Sequence, residues 1–295
     1  MIKQTTAILL VLANLSVFGQ GYDLWTTAFG NNAEKKPARR MYASGYIIDG
    51  QTDVIPTAKT LEFFIQHRFG PVDNGISDIW GIYGASNIRM GANYSIVDWV
   101  QVGFGTTKNY KLQDFTLKVN ILKQTRNSEV PVSVAYFGDL AINAQNESYF
   151  GKDYKFSNRL SYFTQVIVTR KFTEWLTLAV AGSFSHFNKV ESEQEHDKIA
   201  VHFNGRARVS PQSSILLNFD WPINTEAIAE NIPLVDPPKP NMNFGWEIAT
   251  STHAFQFFVG TANYLVPQYN VAFNQNDWTS GDIMIGFNIT RLWSF

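Results

Sequence analysis

Apolar and polar residues alternate along most of this chain after residue 58. The clearest example is the final segment, residues 283–295, where apolar side chains share one face and polar or small side chains share the other. A period of two indicates a strand with two different faces. Arg291 interrupts the apolar face, and a long side chain near a strand end can extend to the membrane interface. This segment alone fits either the last strand of a membrane barrel or a strand of a soluble sandwich.

Twelve stretches of the chain alternate in this way, each close to the roughly 9 to 11 residues that a tilted membrane strand requires. An even number of strands returns both chain ends to the periplasmic side. The sequence therefore predicts an all-β fold, a twelve-stranded antiparallel transmembrane β-barrel. The predicted strands are residues 61–69, 87–95, 100–108, 115–124, 132–142, 159–170, 176–187, 199–209, 215–221, 242–250, 255–263 and 283–293.

The connections between these strands alternate in length. The short ones are residues 96–99, 125–130, 172–175, 210–212 and 251–253, and most of the others are long, with 109–114 as the one of modest length. Short periplasmic turns and long extracellular loops are typical of outer-membrane barrels. A soluble meander has no reason to separate its loops in this way.

The alternation predicts one continuously apolar face and one continuously polar face. It cannot decide which of them lies inside, because a soluble barrel produces the same pattern with its apolar face inward. A membrane barrel is favoured by the loop lengths, by the N-terminal signal described next and by aromatic residues beside the short turns, where an interfacial belt would lie. These aromatic residues are Tyr94, Trp99, Phe172, Trp175, Trp293 and Phe295.

The N-terminus predicts export. Lys3 precedes an apolar stretch at residues 7–13, and small or branched residues follow where a signal peptidase would cleave, before Gln20. A membrane anchor would need roughly 20 apolar residues, and Asn14 and Ser16 interrupt this shorter run. We therefore predict a signal peptide at 1–19, a periplasmic or plug-like segment at 20–57, and the barrel at 58–295. Counting 20–57 as a further membrane strand would break the even number.

Composition narrows the possible functions. The chain has no cysteine, which excludes disulfides, thiolate zinc sites and cysteine catalysis. Its net charge of -1 gives no electrostatic reason to bind nucleic acid. An aromatic content of 15% with only 17% charged residues suits a barrel with aromatic girdles.

Three segments carry a resemblance to a known family. They are LEFFIQHRFG at 61–70, NIRMGANYSIVDWVQVGFGTTKNYK at 87–111, and the strand that contains Lys118 and ends at Gln124. The most specific piece is the HRFG run at 67–70, followed by the strand of Arg89. The chain resembles a family of uncharacterised Gram-negative outer-membrane β-barrel proteins, a domain of unknown function. The resemblance implies a barrel in the outer membrane and supplies no activity.

The sequence predicts no enzyme, cofactor or metal site. The standard phosphate-binding, dinucleotide, zinc-protease and serine-hydrolase signatures are missing. His202 and Asn204 lie on the polar face of the eighth predicted strand, and Ser183 and Ser185 lie one strand earlier. A twelve-stranded barrel with such groups resembles an outer-membrane phospholipase. That family, however, carries its His and Ser two residues apart on a lipid-facing surface, and here Asn204 stands two residues after His202.

Charges of both signs fall on the predicted inner face. If they line a water-filled path, the protein is a narrow channel for small polar solutes; if they pair with each other, it is a non-conducting barrel that binds another envelope protein through its loops or N-terminal segment. The expected partners are outer-membrane lipid, the barrel-assembly machinery at the C-terminal strand, and a periplasmic protein in the second hypothesis. The predicted lumen-lining residues are Glu62, Arg68, Arg89, Lys118, Asp139, Arg159, His202, Arg206, Asp220 and Glu247.

Overall fold

The computed structural model describes residues 36–39 and 41–295, so the predicted signal peptide and residues 20–35 lie outside the described residues. A two-stranded hairpin is followed by twelve strands that form one closed antiparallel barrel, in which the last strand pairs with the first strand of the barrel. The strands are β1 Tyr46–Ile47, β2 Gly50–Gln51, β3 Thr60–Pro71, β4 Asn87–Val97, β5 Val100–Thr107, β6 Leu112–Leu122, β7 Ser133–Asn143, β8 Leu160–Lys171, β9 Leu176–Phe187, β10 Asp197–Arg208, β11 Ser213–Ile223, β12 Asn241–Ala249, β13 His253–Gly260 and β14 Met284–Ser294.

The described helices are short and lie in the connections between strands. Within residues 36–39 and 41–295, four 3-10 turns span Val72–Asp78, Asn109–Lys111, Glu147–Phe150 and Phe156–Arg159, and one α-helix, α1, spans Pro267–Phe273. Among the described residues, no helix is long and apolar enough to cross a membrane.

All twelve predicted barrel strands are present, and the prediction of a closed twelve-stranded antiparallel barrel is confirmed. The largest boundary errors are at β6, which begins at Leu112 and not at residue 115, and at β13, which ends at Gly260 and not at 263. The error in β6 matters for the interior, because it moves Asp114 from a loop onto the inward face of a strand.

The barrel carries polar side chains inside and apolar side chains outside. In β12, for example, Asn243 and Glu247 are buried in the interior, whereas Phe244 and Trp246 point outward and are exposed. This is the reverse of a soluble barrel. So large an apolar exterior requires lipid around it.

The prediction of a continuously polar inner face is wrong for one part of the wall. Phe137 of β7, Phe163 and Ile167 of β8, and Ala179 and Ala181 of β9 all lie buried on the inward side. They form a hydrophobic cluster with apolar residues of the chain segment that precedes the barrel. The interior is therefore a packed core on this side, with a polar wall opposite.

The segment that fills the barrel from one end comprises residues 41–57, and we call it the plug. Its hairpin of β1 and β2 places Ile47 and Ile48 in the interior with 0% exposure. The chain reaches the plug along the β6–β7 turn, where the Ala38 amide donates to the Gln124 carbonyl at 2.7 Å. This turn is one of the short ones, so the chain approaches from the predicted periplasmic side.

The β13–β14 connection fills the barrel from the opposite end. Its helix α1 packs against β8, β9, β10 and β11. Val271 of α1 belongs to the same hydrophobic cluster as Ile48 of the plug. Chain from both ends of the barrel thus meets in one core.

The pairing of β14 with β3 closes the barrel. Trp293 lies opposite Leu61, and the Phe295 amide donates to the Lys59 carbonyl at 3.1 Å. The guanidinium carbon of Arg291 lies 4.7 Å from the centroid of the Trp293 ring. A cation over an aromatic face is a favourable contact, which accounts for a charge on the apolar face of this strand.

We predict that Gly91→Ala destabilises the barrel. An added Cβ at Gly91 would overlap the carbonyl oxygen of Phe104 and the ring of Phe64, and overpacking of this kind costs about 1–3 kcal/mol. The measurement is the temperature at which the folded band disappears in heat-dependent gel mobility. Gly182→Ala in β9 is the matched control, because an added Cβ there meets nothing within 4 Å. Equal transition temperatures for the two variants would contradict the predicted close contact.

Candidate functional site

The interior of the barrel brings most of the predicted lumen-lining residues together. Nine of the ten are buried on inward-facing strand positions: Glu62, Arg68, Arg89, Lys118, Asp139, His202, Arg206, Asp220 and Glu247. Arg159 is different, because β8 begins only at Leu160. It ends a 3-10 turn at the extracellular mouth, where its guanidinium donates to the Asn143 carbonyl at 2.8 Å.

Some charges of the wall are paired with each other. Arg89 binds both carboxylate oxygens of Asp114, at 3.0 Å from Nε and 2.5 Å from Nη2. Arg206 donates from Nε to Glu247 at 2.9 Å. Buried charges need such partners, and bidentate pairs are the strongest. In the described part of the chain, no three His, Asp or Glu side chains gather as a metal site would require.

An ion pair joins the wall to the tip of the plug. The Arg68 guanidinium lies 2.5 Å from Asp49 of the plug, and both side chains are almost fully buried. The same guanidinium donates to Asn288 at 3.0 Å and lies 4.3 Å from the centroid of the Phe258 ring. Arg68 thus binds the plug through its guanidinium group.

Wall side chains also bind the plug backbone near its start. The Gly45 amide donates to Glu62 Oε1 at 2.9 Å, and Lys118 Nζ donates to the Gly45 carbonyl at 2.9 Å. One carboxylate and one ammonium therefore bind the two backbone polar groups of the same residue. No room remains for a side chain there, because an added Cβ at Gly45 would lie 2.8 Å from Glu62 Oε2.

The tip of the plug adopts a costly conformation and is held in it by amide side chains. Ile48 has a φ of 55°, which is unfavourable for a β-branched residue. Its amide donates to Gln256 Oε1 at 3.0 Å, and its carbonyl accepts from Asn288 Nδ2 at 2.8 Å. A conformation of this kind costs about 1–3 kcal/mol and persists only where the surroundings impose it.

Sequence reasoning missed several residues that complete this network. Asp114 has the same strand parity as Lys118 and was lost only through the misplaced start of β6. Gln256 lies on the polar parity of its strand, but an uncharged residue gave no reason to single it out. Asp49 lies in a stretch without alternation, so the sequence carries no signal for its position.

The extracellular mouth contains a small cavity with aromatic walls, which we call the vestibule. Its volume is about 100 Å³. The ring centroids of Tyr110 and Tyr269 are 5.3 Å apart, and the Arg159 guanidinium carbon lies 4.9 Å from the Phe150 ring centroid. Burial and the neighbouring Tyr264 raise the pKa of Tyr110, so its phenol stays a neutral hydrogen-bonding group. The cavity is lined by Tyr110, Asn143, Tyr149, Phe150, Asn158, Arg159, Glu191, Tyr269 and Phe273, among others.

Three residues on neighbouring strands form a hydrogen-bonded relay. Ser183 Oγ of β9 lies 2.7 Å from His202 Nε2 of β10, and His202 Nδ1 lies 2.7 Å from Asp220 Oδ1 of β11. Sequence reasoning placed Ser183 and His202 one strand apart, but periodicity gives no strand register. The register sets His202 directly opposite Asp220 and two residues from the position opposite Ser183.

Known structures with a similar fold are outer-membrane barrels. The chain is similar to an outer-membrane channel from Pseudomonas putida F1 with 11% identity and a TM-score of 0.50, over 82% of this chain and 97% of that one. It is also similar to the NanC porin, with 8% identity and a TM-score of 0.48, over 80% of this chain and 99% of that one. At these identities the likeness concerns the fold alone.

A family described as a membrane-bound β-barrel domain, DUF5777, matches residues 42–293, which include nearly the whole plug as well as the barrel. No curated protein matches the chain. The resemblance to an uncharacterised family of outer-membrane barrels is confirmed, and with it the predicted location in the outer membrane. The chain belongs to the DUF5777 family of membrane-bound β-barrel domains.

Proposed function

We propose that this protein is a self-plugged barrel that passes small polar solutes when the plug shifts from its seat. The observation that carries the proposal is the way in which the plug is bound. The hydrogen bonds and the ion pair described above run from wall side chains to plug backbone or to Asp49, whereas the barrel strands bind each other through backbone ladders. A plug bound in this way can move without opening the sheet. Passage itself involves no chemical step.

The wall behind the plug suits a selective path. Glu62, Arg68 and Lys118 all bind plug atoms. When the plug moves, these groups would face water and present charges of both signs to a solute. Rings of charged and amide side chains are the usual means by which a narrow pore discriminates between solutes.

The strained backbone at the tip of the plug favours a plug that can be displaced. The conformational cost at Ile48 offsets part of the energy gained from the surrounding hydrogen bonds. The plug continues directly into β3, so it can swing or slide but cannot leave the protein. Displacement would therefore be reversible.

The vestibule favours solutes that combine polar groups with a flat, weakly polar face. Aromatic rings supply contact area, and Asn143, Asn158, Arg159 and Glu191 supply hydrogen-bonding groups around it. A few polar groups that converge on an apolar surface are typical of small-molecule sites. A monosaccharide is the solute class that fits this lining best.

The second candidate function is a permanently sealed barrel that binds a periplasmic partner. One observation favours it: Pro37 forms an isolated bridge with Thr125 of the β6–β7 turn, so the chain leading to the plug extends the periplasmic face. In that case the paired charges of the wall serve only stability. Electrical recordings separate the two functions.

We predict that Asp49→Asn raises the frequency of channel openings in planar bilayers by at least tenfold. The change leaves Arg68 without its anionic partner, and breaking one side of a buried pair costs about 3–5 kcal/mol, where about 1.4 kcal/mol corresponds to a factor of ten. Asp73→Asn, an exposed loop carboxylate, is the control with the same charge change. No steady openings in either the wild type or Asp49→Asn would favour the sealed barrel.

We also predict that a disulfide between the plug and the wall abolishes conductance. The chain has no cysteine of its own, and an added Cβ at Gly50 lies 2.9 Å from Asn204 Cγ, which brings a cysteine pair at these positions within disulfide reach. The double variant Gly50→Cys, Asn204→Cys should conduct when reduced and stay closed when oxidised. The conductance of the single variant Asn204→Cys should be the same with and without the oxidant. Equal conductance of the double variant in both states would show that solutes do not pass through the seat of the plug.

A further inference from the structure

We infer that Ser183 is a nucleophile activated by His202 and Asp220, and that the barrel interior can take an acyl group from a small, uncharged carboxylic ester. This inference goes beyond solute passage and does not depend on it. It rests on the relay across β9, β10 and β11, whose three residues are each less than 10% exposed.

The geometry assigns a role to each group. The Asp220 carboxylate accepts a hydrogen bond, so the proton of the His202 ring lies on Nδ1 and the lone pair lies on Nε2. Nε2 therefore accepts the hydroxyl proton of Ser183 across 2.7 Å. Asn218 Nδ2 donates to the same Asp220 oxygen at 3.2 Å and fixes the carboxylate. A serine, a base and an orienting carboxylate in this order form the arrangement that activates a hydroxyl in unrelated hydrolases.

A neighbouring serine shows that the relay is specific to Ser183. Ser185 lies two residues further along β9 on the same inward face and is 0% exposed, yet its hydroxyl has no hydrogen-bond partner among the described residues. If both serines only filled polar positions of the interior, there would be no reason for one to contact a histidine and the other to contact none. The chain thus offers a buried serine of matched environment without the imidazole.

Gln165 of β8 supplies a candidate for stabilising the developing oxyanion. It lies directly opposite Ser183 in the strand register and is 3% exposed, and its side-chain NH₂ is the kind of donor that an oxyanion requires. Opposite residues have Cβ atoms about 4.5–5.5 Å apart, so the side-chain amide can reach the carbonyl of an ester at Ser183. The backbone amides of these strands are engaged in the hydrogen bonds of the sheet. A side chain must therefore donate the hydrogen bond to the oxyanion.

The surroundings set the substrate class. Ala181 and Ala200 lie directly opposite His202 and Ser183 in the β9–β10 register, and Phe163 packs with its ring centroid 6.2 Å from that of His202. Small and apolar neighbours favour a short, uncharged acyl chain and exclude a charged one. The helix α1 packs on the same strands, so a substrate that enters from the vestibule has to pass it.

The reaction has two steps, acylation of Ser183 and hydrolysis of the acyl-serine. Ser183 Oγ bonds to the acyl carbon while its proton passes to His202 Nε2; the bond from that carbon to the alkoxy oxygen then breaks, and the alcohol leaves with the proton. Water repeats the sequence on the acyl-serine, which releases the carboxylic acid and restores the hydroxyl. Asp220 keeps its charge and stabilises the imidazolium in both steps.

The test is labelling of the intact, detergent-purified protein with a small alkyl fluorophosphonate. Ser183 Oγ would bond to phosphorus, fluoride would leave, and the hydroxyl proton would pass to His202. We expect one adduct, mapped to Ser183 by peptide mass spectrometry, that is absent in Ser183→Ala and retained in Ser185→Ala. His202→Ala and Asp220→Asn should each slow labelling by at least about 100-fold, the contribution of a positioned base.

Heat-dependent gel mobility of each variant shows whether the barrel is intact, and Asp220→Asn serves if His202→Ala does not fold. No adduct in the folded wild-type protein, or an adduct whose rate is the same in Asp220→Asn, would overturn the inference. An adduct at Ser185 in place of Ser183 would overturn it as well. Hydrolysis of p-nitrophenyl acetate that disappears in Ser183→Ala and persists in Ser185→Ala would establish turnover. Because labelling and conductance are separate measurements, either result leaves the other proposal open to its own test.

Discussion

The rest of the structure depends on one constraint: a β-sheet surrounded by lipid can have no open edge. Unpaired backbone groups have no water to bind in the hydrocarbon layer, so the sheet must close on itself. The pairing of β14 with β3 provides that closure, and even the last amide of the chain, at Phe295, is bonded to Lys59. Once closure is imposed, strand alternation commits every second side chain to lipid and every other one to the interior.

Closure creates a second problem, which the interior solves. Inward polar groups are shielded from bulk water and must find partners within the protein. Some pair with each other along the wall, as Arg89 of β4 does with Asp114 of β6, and others bind the plug, as Arg68 does with Asp49. The plug brings backbone amides and carbonyls as well as Asp49, and its apolar residues pack on the less polar side of the wall. It is therefore part of the barrel's core and not a separate domain attached to it.

Solute passage and chemistry at Ser183 would involve different parts of this interior. The plug and its strained tip at Ile48 determine whether a path can open, whereas the relay around His202 lies in the wall covered by α1. Both draw on the same physical fact, that polar groups inside the barrel are held by partners in fixed positions. Such preorganisation is what selective passage and chemistry at a hydroxyl each require.

The sequence by itself determined the strands, their number and the location of the protein, because alternation, loop length and strand count are local properties of the chain. Of the ten residues that it assigned to the inner face, nine are buried there, since parity follows from the strand period alone. Where a strand boundary was wrong, as at Asp114, the parity argument failed with it.

The tertiary structure determined the features that the alternation along single strands does not encode. Which face is inside depends on the curvature of the closed sheet, and the position of Asp49 depends on a hairpin that binds side chains from strands distant in the sequence. The contact between Ser183 and His202 depends on the register of β9 and β10, which the hydrogen-bond ladder fixes between strands. Local patterns record how each residue alternates along its own strand, and only the closed sheet determines which residues of different strands lie side by side.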